Sequence, residues 1–309
     1  MALLFYSEYD SASEWQSAFA QAEPELEFRA WPQCGDPAEV EAVLAWNAPA
    51  GFYRQFPRLR LIVNLGAGVD AIVRDPTLPA GVPVTRISDP AMGRMMAQYV
   101  LAAVLRHFRD FGAFERARER RAWQWIAPRE ARECTVGVMG LGQLGSMAAC
   151  ELARQGFRVL GWSRTPKTLP GVEGLAGDEA LPAFLAQCEI CVMLLPLTPA
   201  TEGLMDARRL AMLPRGAKLV SAGRGRTVDE RALVAALRSG HVAEATLDVF
   251  HEEPLPAGHP LWDLPQVLIT PHLASIAIPR TAAAQVVDNL ARVRRGERPA
   301  NVVDPTRGY

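Results

Sequence analysis

The stretch Val136-Gly137-Val138-Met139-Gly140-Leu141-Gly142-Gln143-Leu144-Gly145 reads as an apolar strand running into a Gly-x-Gly-x-x-Gly turn and then a helix. Each glycine has a separate physical task. Gly140 makes the tight turn, and Gly142 lets backbone amides approach a pyrophosphate. Gly145 lets the helix pack closely on the strand, with its positive end facing the phosphates. Gln143 and Leu144 fill the turn between them. Such a pattern alone is also simply a turn. Here Met147-Ala148-Ala149 and Leu152-Ala153 continue it at helical spacing, so the context is that of a dinucleotide site.

Outward from this motif, the whole chain sets limits. It has 309 residues, enough for two domains with ordinary cores, and is 49% hydrophobic and 22% charged with a formal net charge of −1. That balance gives no electrostatic footprint for nucleic acid or an anionic membrane. The run Arg116-Ala117-Arg118-Glu119-Arg120-Arg121 reads as the solvated face of a helix. Met1-Ala2-Leu3-Leu4-Phe5-Tyr6 has no basic segment before it and meets Ser7-Glu8-Tyr9-Asp10 at once, so a first strand is expected rather than a signal peptide. No apolar run has bilayer-spanning length. The five cysteines are scattered; Cys188 and Cys191 have Cys-x-x-Cys spacing but no second pair or nearby histidine, so no metal site is expected. Cys191 falls in a core strand, and a cytoplasmic location fits the thiols.

Strand-like and helix-like stretches alternate along the chain. Leu3 to Tyr6, Glu27 to Trp31, Val43 to Trp46, Leu59 to Leu65 and Val82 to Ile87 read as strands, the last placed at an edge by Pro83. Met92 to Arg121 reads as one long helix, apolar in its first half, that leaves one domain for another. After the motif come strands at Phe157 to Trp162, Cys191 to Leu195, Ala217 to Val220, Val242 to Val249 and Val267 to Thr270. Thr227-Val228-Asp229-Glu230 reads as a capping box opening a helix that Gly240 stops. A final helix between Ile276 and Gly296 returns to the N-terminal unit. The expected division is 1–98 with 276–309, and 99–275, all built from parallel βαβ units.

Strand ends carry the residues able to do chemistry. Ser163-Arg164-Thr165 follows the second strand of the motif's unit, where an NAD-preferring site would place an acid. Hydroxyls and a guanidinium there, with Lys167 close behind, suit a 2′-phosphate, so NADP(H) is favoured with NAD(H) as the alternative. Arg224 stands between Gly223 and Gly225, and its fork suits a carboxylate or a carbonyl oxygen. Glu253, held extended by Pro254, follows the next strand, and His272 follows the last. Each alone also suits a surface turn. Three at consecutive strand ends point to one acid-base site. His107, His241, His251 and His259 lack that setting and read as structural or surface residues.

At these residues the chain resembles the D-2-hydroxyacid dehydrogenases over nearly its full length. The likeness rests on Gly66-Ala67-Gly68-Val69-Asp70, the Gly140 to Gly145 turn, Leu195-Pro196-Leu197-Thr198-Pro199, Gly223-Arg224-Gly225, Asp248 to Pro256 and Thr270-Pro271-His272-x-Ala274. Trp162 to Thr165 and the ending Asp304 to Tyr309 are similar to the glyoxylate/hydroxypyruvate reductase A subgroup. The resemblance implies an α/β fold of two domains, a Rossmann nucleotide-binding domain inserted into a flavodoxin-like substrate-binding domain. It implies a homodimer acting on a small 2-oxo acid, with Arg224, Glu253 and His272 catalytic. It further implies that the amides of Ala67 and Gly68 hold the substrate carboxylate and that Trp46 walls the pocket. Leu195 and Pro196 would flank the adenine side, Ala222 would line the cofactor, and Asp248 would meet its carboxamide end.

The chain departs from the pattern where many members carry Ala-Glu-His and it has Ala97-Gln98-Tyr99, and where many carry asparagine and it has Ser221. Two other readings stay open. One is a dehydrogenase of a larger D-2-hydroxy acid; the other is a non-catalytic nucleotide sensor, against which the intact Arg224, Glu253 and His272 set argues.

Overall fold

The structure is a computed structural model that describes residues 2–304. Met1 and the last five residues of the Asp304 to Tyr309 ending lie outside the described residues. The chain divides into two compact units: one runs to Met92 and resumes at Ile276, and the other is Gly93–Ser275. The first crossing thus falls at 92/93, against 98/99 in the sequence reading.

In chain order the first unit holds β1 (Ala2–Tyr6), α1 (Ala12–Ala22), β2 (Glu27–Ala30), β3 (Val40–Ala45), β4 (Leu61–Asn64), α2 (Asp70–Val73) and β5 (Val84–Arg86). Then follow α3 (Pro90–Phe108), α4 (Phe111–Glu119), β6 (Thr135–Met139), α5 (Gln143–Arg154), β7 (Arg158–Ser163) and β8 (Val172–Ala176). The rest are α6 (Leu181–Leu185), β9 (Ile190–Met193), α7 (Ala207–Leu210), β10 (Ala217–Ser221), α8 (Glu230–Arg238), β11 (Val242–Leu247), β12 (Val267–Ile269) and α9 (Pro279–Arg294).

The first unit's strands pair in parallel in the order β2-β1-β3-β4-β5, the flavodoxin-like order. β5, with Pro83 before it, lies at the edge as a missing N–H requires. Strands β3 and β4 are buried on both faces, which is why they read as unbroken apolar runs. The chain's return delivers α9 against α1 in this same unit.

The second unit's strands are also parallel, in the order β12-β11-β10-β9-β6-β7-β8. The order reverses between β6 and β9, so the glycine turn opens at the topological switch point, where such sheets bind ligands. Side-chain alternation divides the core. Val136, Val138, Ile190 and Val192 face the side of α3 and α5, while Met139, Cys191 and Met193 face the side of α6 and α8. Gly137 is a close-packing site, because a Cβ there would lie 2.1 Å from the Cys188 sulfur. Truncating a fully buried residue such as Leu152 to alanine costs about 2–5 kcal/mol.

Three local expectations need correction. The stretch Met92 to Arg121 is two helices, not one. Asp110 takes the left-handed conformation (φ 55°) between them, and the Lys218 ammonium binds both the His107 carbonyl at 2.6 Å and the Asp110 carboxylate at 3.1 Å. The cation thus serves the C-terminal, carbonyl end of α3. Next, Asp229 rather than Thr227 caps α8, accepting from the amides of Arg231 and Ala232; the Thr227 hydroxyl instead donates to the Arg224 carbonyl at 2.7 Å. Finally, Arg116 is not on a solvated face, since it turns inward to bind Glu244 at 2.6 Å.

Strand β8, at the sheet edge, carries Gly174 where a Cβ would meet the Lys167 carbonyl. It has no alternating apolar pattern, so the sequence did not announce it.

Candidate active site

The second unit builds its site from backbone contacts upward. Gly140 has φ +99°, and a Cβ there would lie 2.7 Å from the Leu194 carbonyl. A Cβ on Gly145 would lie 1.8 Å from the Gly140 carbonyl, which excludes every other residue. At Gly142 the same construction meets nothing within 4 Å, so the space above this residue, the N-cap of α5, is open. No side chain caps this helix among the described residues. An open helix start beside a tight turn fits a pyrophosphate, and Gln143, Leu144 and Gly145 form its first turn. Lys167 donates to the Leu141 carbonyl within the turn.

The neighbouring strand ends interlock. A Cβ on Gly223 would lie 2.7 Å from the Leu195 carbonyl, and one on Gly225 would lie 2.1 Å from the Phe250 carbonyl. The two glycines therefore let the Arg224 segment lie against both neighbours. Leu195 and Ala222 are buried, and the Ala222 amide donates to the Met193 carbonyl at 3.1 Å. The Pro196 carbonyl accepts from the Thr201 hydroxyl at 2.7 Å. Ser163 is buried and donates to the Thr165 carbonyl at 2.8 Å, while Arg164 and Thr165 are exposed.

Glu253 and His272 meet at the next two strand ends. His272 Nδ1 lies 2.7 Å from Glu253 Oε2, and Glu253 Oε1 accepts from the Phe250 amide at 2.8 Å. Burial acts to raise the Glu253 pKa, but the hydrogen bond and charge of His272, the Phe250 amide and the Arg224 charge outweigh it and hold the pKa down. Arg224 and His272 thus both bear on the Glu253 carboxylate, His272 the more strongly. Both side chains of the pair keep about a third of their surface exposed, 30% for His272 and 33% for Glu253, so the pair is accessible to a ligand.

His272 has φ 53°, a conformation few non-glycine residues adopt. Asp248 holds it there. The Asp248 carbonyl accepts from the His272 amide at 2.8 Å, and its carboxylate accepts from Thr270 Oγ1 (2.6 Å), the Leu273 amide (3.0 Å) and the Ala274 amide (2.9 Å). Tyr99 extends this network, its hydroxyl 2.7 Å from Thr270 Oγ1. Sequence reading assigned Asp248 a cofactor contact and gave Tyr99 and Thr270 no part. The signal was the Tyr99 departure, which lies on α3 far from Thr270 in sequence.

A second histidine–glutamate pair lies in the core of this unit. His107 Nδ1 is 3.1 Å from Glu244 Oε2, and its Nε2 is 3.0 Å from Thr246 Oγ1. Burial pushes the His107 pKa down despite the carboxylate, so the ring is neutral. The sequence reading gave His107 no carboxylate partner; Glu244 comes from β11 and is invisible from α3.

Trp46, Ala67 and Gly68 belong to the first unit. The Trp46 ring lies over Gly66, where a Cβ would be 2.5 Å from it. Asn64, at the end of β4, is buried and donates to the carbonyls of Gly66 and Gly68, each at 2.8 Å. Arg86 makes a longer 3.5 Å contact with the Ala67 carbonyl.

Among the described residues there is no cluster of histidine, cysteine or carboxylate side chains suited to a metal, and no helix is long and apolar enough to cross a membrane. The five cysteines are free thiols.

Comparison with known proteins places this geometry in a family. The model for "D-isomer specific 2-hydroxyacid dehydrogenase, NAD binding domain" matches residues 101–274. Glyoxylate/hydroxypyruvate reductase A of Yersinia enterocolitica is 40% identical over the full length of both chains. The crystal structure of a D-isomer specific 2-hydroxyacid dehydrogenase from Xanthobacter autotrophicus Py2, in complex with NADPH and MES, is 58% identical. It has a TM-score of 0.95 over 100% of this chain and 99% of that one. An NADPH-dependent glyoxylate/hydroxypyruvate reductase from Sinorhizobium meliloti, in complex with NADP and sulfate, is 34% identical, with a TM-score of 0.93 over 100% of both. The chain belongs to the D-isomer specific 2-hydroxyacid dehydrogenases. It is an NAD(P)-dependent oxidoreductase.

Proposed function

We propose that this protein reduces small 2-oxo acids, glyoxylate and hydroxypyruvate foremost, to 2-hydroxy acids with NADPH. The observation that carries the reading is the 2.7 Å His272–Glu253 pair, with the Arg224 charge bearing on it, at strand ends of the dinucleotide sheet. The names and ligands of the Yersinia, Xanthobacter and Sinorhizobium proteins support the substrate class and the cofactor.

In this reading the Gly140, Gly142, Gln143, Leu144 and Gly145 turn holds the pyrophosphate. Ser163, Arg164 and Thr165 receive the 2′-phosphate, and Leu195, Pro196, Ala222 and Asp248 line the remainder. When bound, the reduced nicotinamide supplies hydride. Arg224 grips the oxo acid and draws electron density toward the carbonyl oxygen. His272 donates a proton to that oxygen, and Glu253 orients the ring. The amides of Ala67 and Gly68 take the substrate carboxylate, and Trp46 bounds the pocket.

The test is a steady-state panel of 2-oxo acids with NADPH and NADH, followed at the nicotinamide absorbance. Oxidation of NADPH by glyoxylate or hydroxypyruvate is expected; turnover confined to a bulky oxo acid would favour the larger-substrate reading. Arg164→Asp is expected to weaken NADPH far more than NADH, and an unchanged ratio would remove the 2′-phosphate assignment.

The same reading makes the protein a cytoplasmic homodimer. Exposed Phe111, Phe114, Trp123 and Trp125, within one short segment, support a covered surface of this kind. Light scattering on the purified protein reads the mass directly.

A further inference from the structure

The loop Gly66-Ala67-Gly68-Val69 presents its backbone in an ordered way, and one buried side chain accounts for it. Asn64 is 3% exposed, and its Nδ2 reaches the carbonyls of Gly66 and Gly68 at 2.8 Å each. The peptides here are trans. A planar trans peptide points its N–H opposite to its C=O. Two carbonyls converging on one nitrogen therefore send the next two amides, those of Ala67 and Val69, away from Asn64. The Ala67 carbonyl leans to Arg86, which turns the Gly68 amide away from that cation in the same manner. Among the described residues, no amide from Gly66 to Val69 donates a hydrogen bond to the protein. The loop is thus a row of donors held ready for an acceptor, and the Trp46 ring against Gly66 keeps it from folding back.

We infer that Asn64 is a positioning residue for the carboxylate of the substrate. It touches no reacting atom; it fixes the peptides on either side of the Ala67–Gly68 peptide, so that the amides of Ala67 and Gly68 are preset as a cradle for the carboxylate. This rests on the proposed reduction of 2-oxo acids. Without Asn64 the carbonyls of Gly66 and Gly68 are released, the peptides can rotate, and the anion must order the loop on binding. The loss falls on substrate affinity rather than on the chemical step.

Asn64→Leu removes both donors at similar size, and Asn64→Asp keeps the shape while losing the N–H groups. Each is assayed with glyoxylate and with its methyl ester, which lacks the anionic carboxylate. The expected result is a rise of about 10- to 100-fold in KM for glyoxylate, with kcat within about threefold of wild type. The ester's kcat/KM and the KM for NADPH should stay within about twofold. An equal loss for glyoxylate and ester, or no change with either, overturns the inference. If Asn64→Leu does not fold, Asn64→Asp alone decides it. Wild-type protein that reduces no 2-oxo acid would instead overturn the proposed function, so the two failures are distinguishable.

Discussion

Two of the histidine–glutamate pairs in the second unit have an arginine acting on them, and the difference between these two bears on the proposed chemistry. In one, His107 and Glu244 lie 3.1 Å apart with both ring nitrogens committed, and Arg116 binds the carboxylate directly at 2.6 Å. The His107 ring is 1% exposed, and burial keeps it neutral. In the other, His272 and Glu253 lie 2.7 Å apart on turns, both with about a third of the side chain exposed. Composition is the same in each case. Access and backbone setting differ, and these decide whether a proton can leave for a ligand.

Four experiments test that contrast. His272→Ala should lower kcat by about two to four orders of magnitude while NADPH still binds; His107→Ala should change kcat less than about threefold. Comparable losses in both would erase the distinction. Arg224→Lys keeps the charge but loses the fork, and kcat/KM for glyoxylate should fall about 10- to 100-fold, mostly through KM. Glu244→Ala leaves Arg116 and His107 without their carboxylate. Since Arg116 keeps 26% of its side chain exposed, the cost should sit near about 3 kcal/mol, at the low end for a broken buried pair, read as a shifted urea midpoint with glyoxylate KM unchanged.

The smallest effect is in the pH dependence. The folded His107 pKa lies below its ordinary value near 6.5, so in that window the unfolded chain binds the extra proton. Stability from this group is full above 6.5 and is lost as pH falls toward the folded value, at no more than about 1.4 kcal/mol per pH unit. Glu244 and Glu253, both lowered, lose their contributions only as pH falls below about 4.5 toward their folded values. Urea titrations at pH 7.5, 6.5 and 5.5 on wild type and His107→Gln should show the upper slope vanish in the variant.

Much of this site was legible in sequence because it lies at strand ends, where backbone crowding forces glycine and proline to mark the spot. Gly140, Gly145, Gly223 and Gly225 each approach another segment's backbone too closely for a side chain. Pro83 marked an edge for the same reason of backbone chemistry. Residues acting through long-range hydrogen bonds left no such trace. Glu244 and His107 are far apart in sequence, as are Tyr99 and Thr270, and neither spacing nor periodicity joins them. Helix limits were misjudged where a side chain chose between local backbone partners: Asp229 took the cap, and Asp110 broke a stripe that looked continuous. The two amide donations of Asn64 also depend on a loop path that residue types alone do not define.

Asp248 gives the His272 turn an unusual exchange signature. The turn stands at the surface, with Leu273 47% exposed, yet the amides of Leu273 and Ala274 both end on one buried carboxylate. Amide protons there should exchange with deuterium as slowly as those of neighbouring β11, in the protein without any ligand. The turn's geometry would then be a property of the folded chain, present before any ligand arrives.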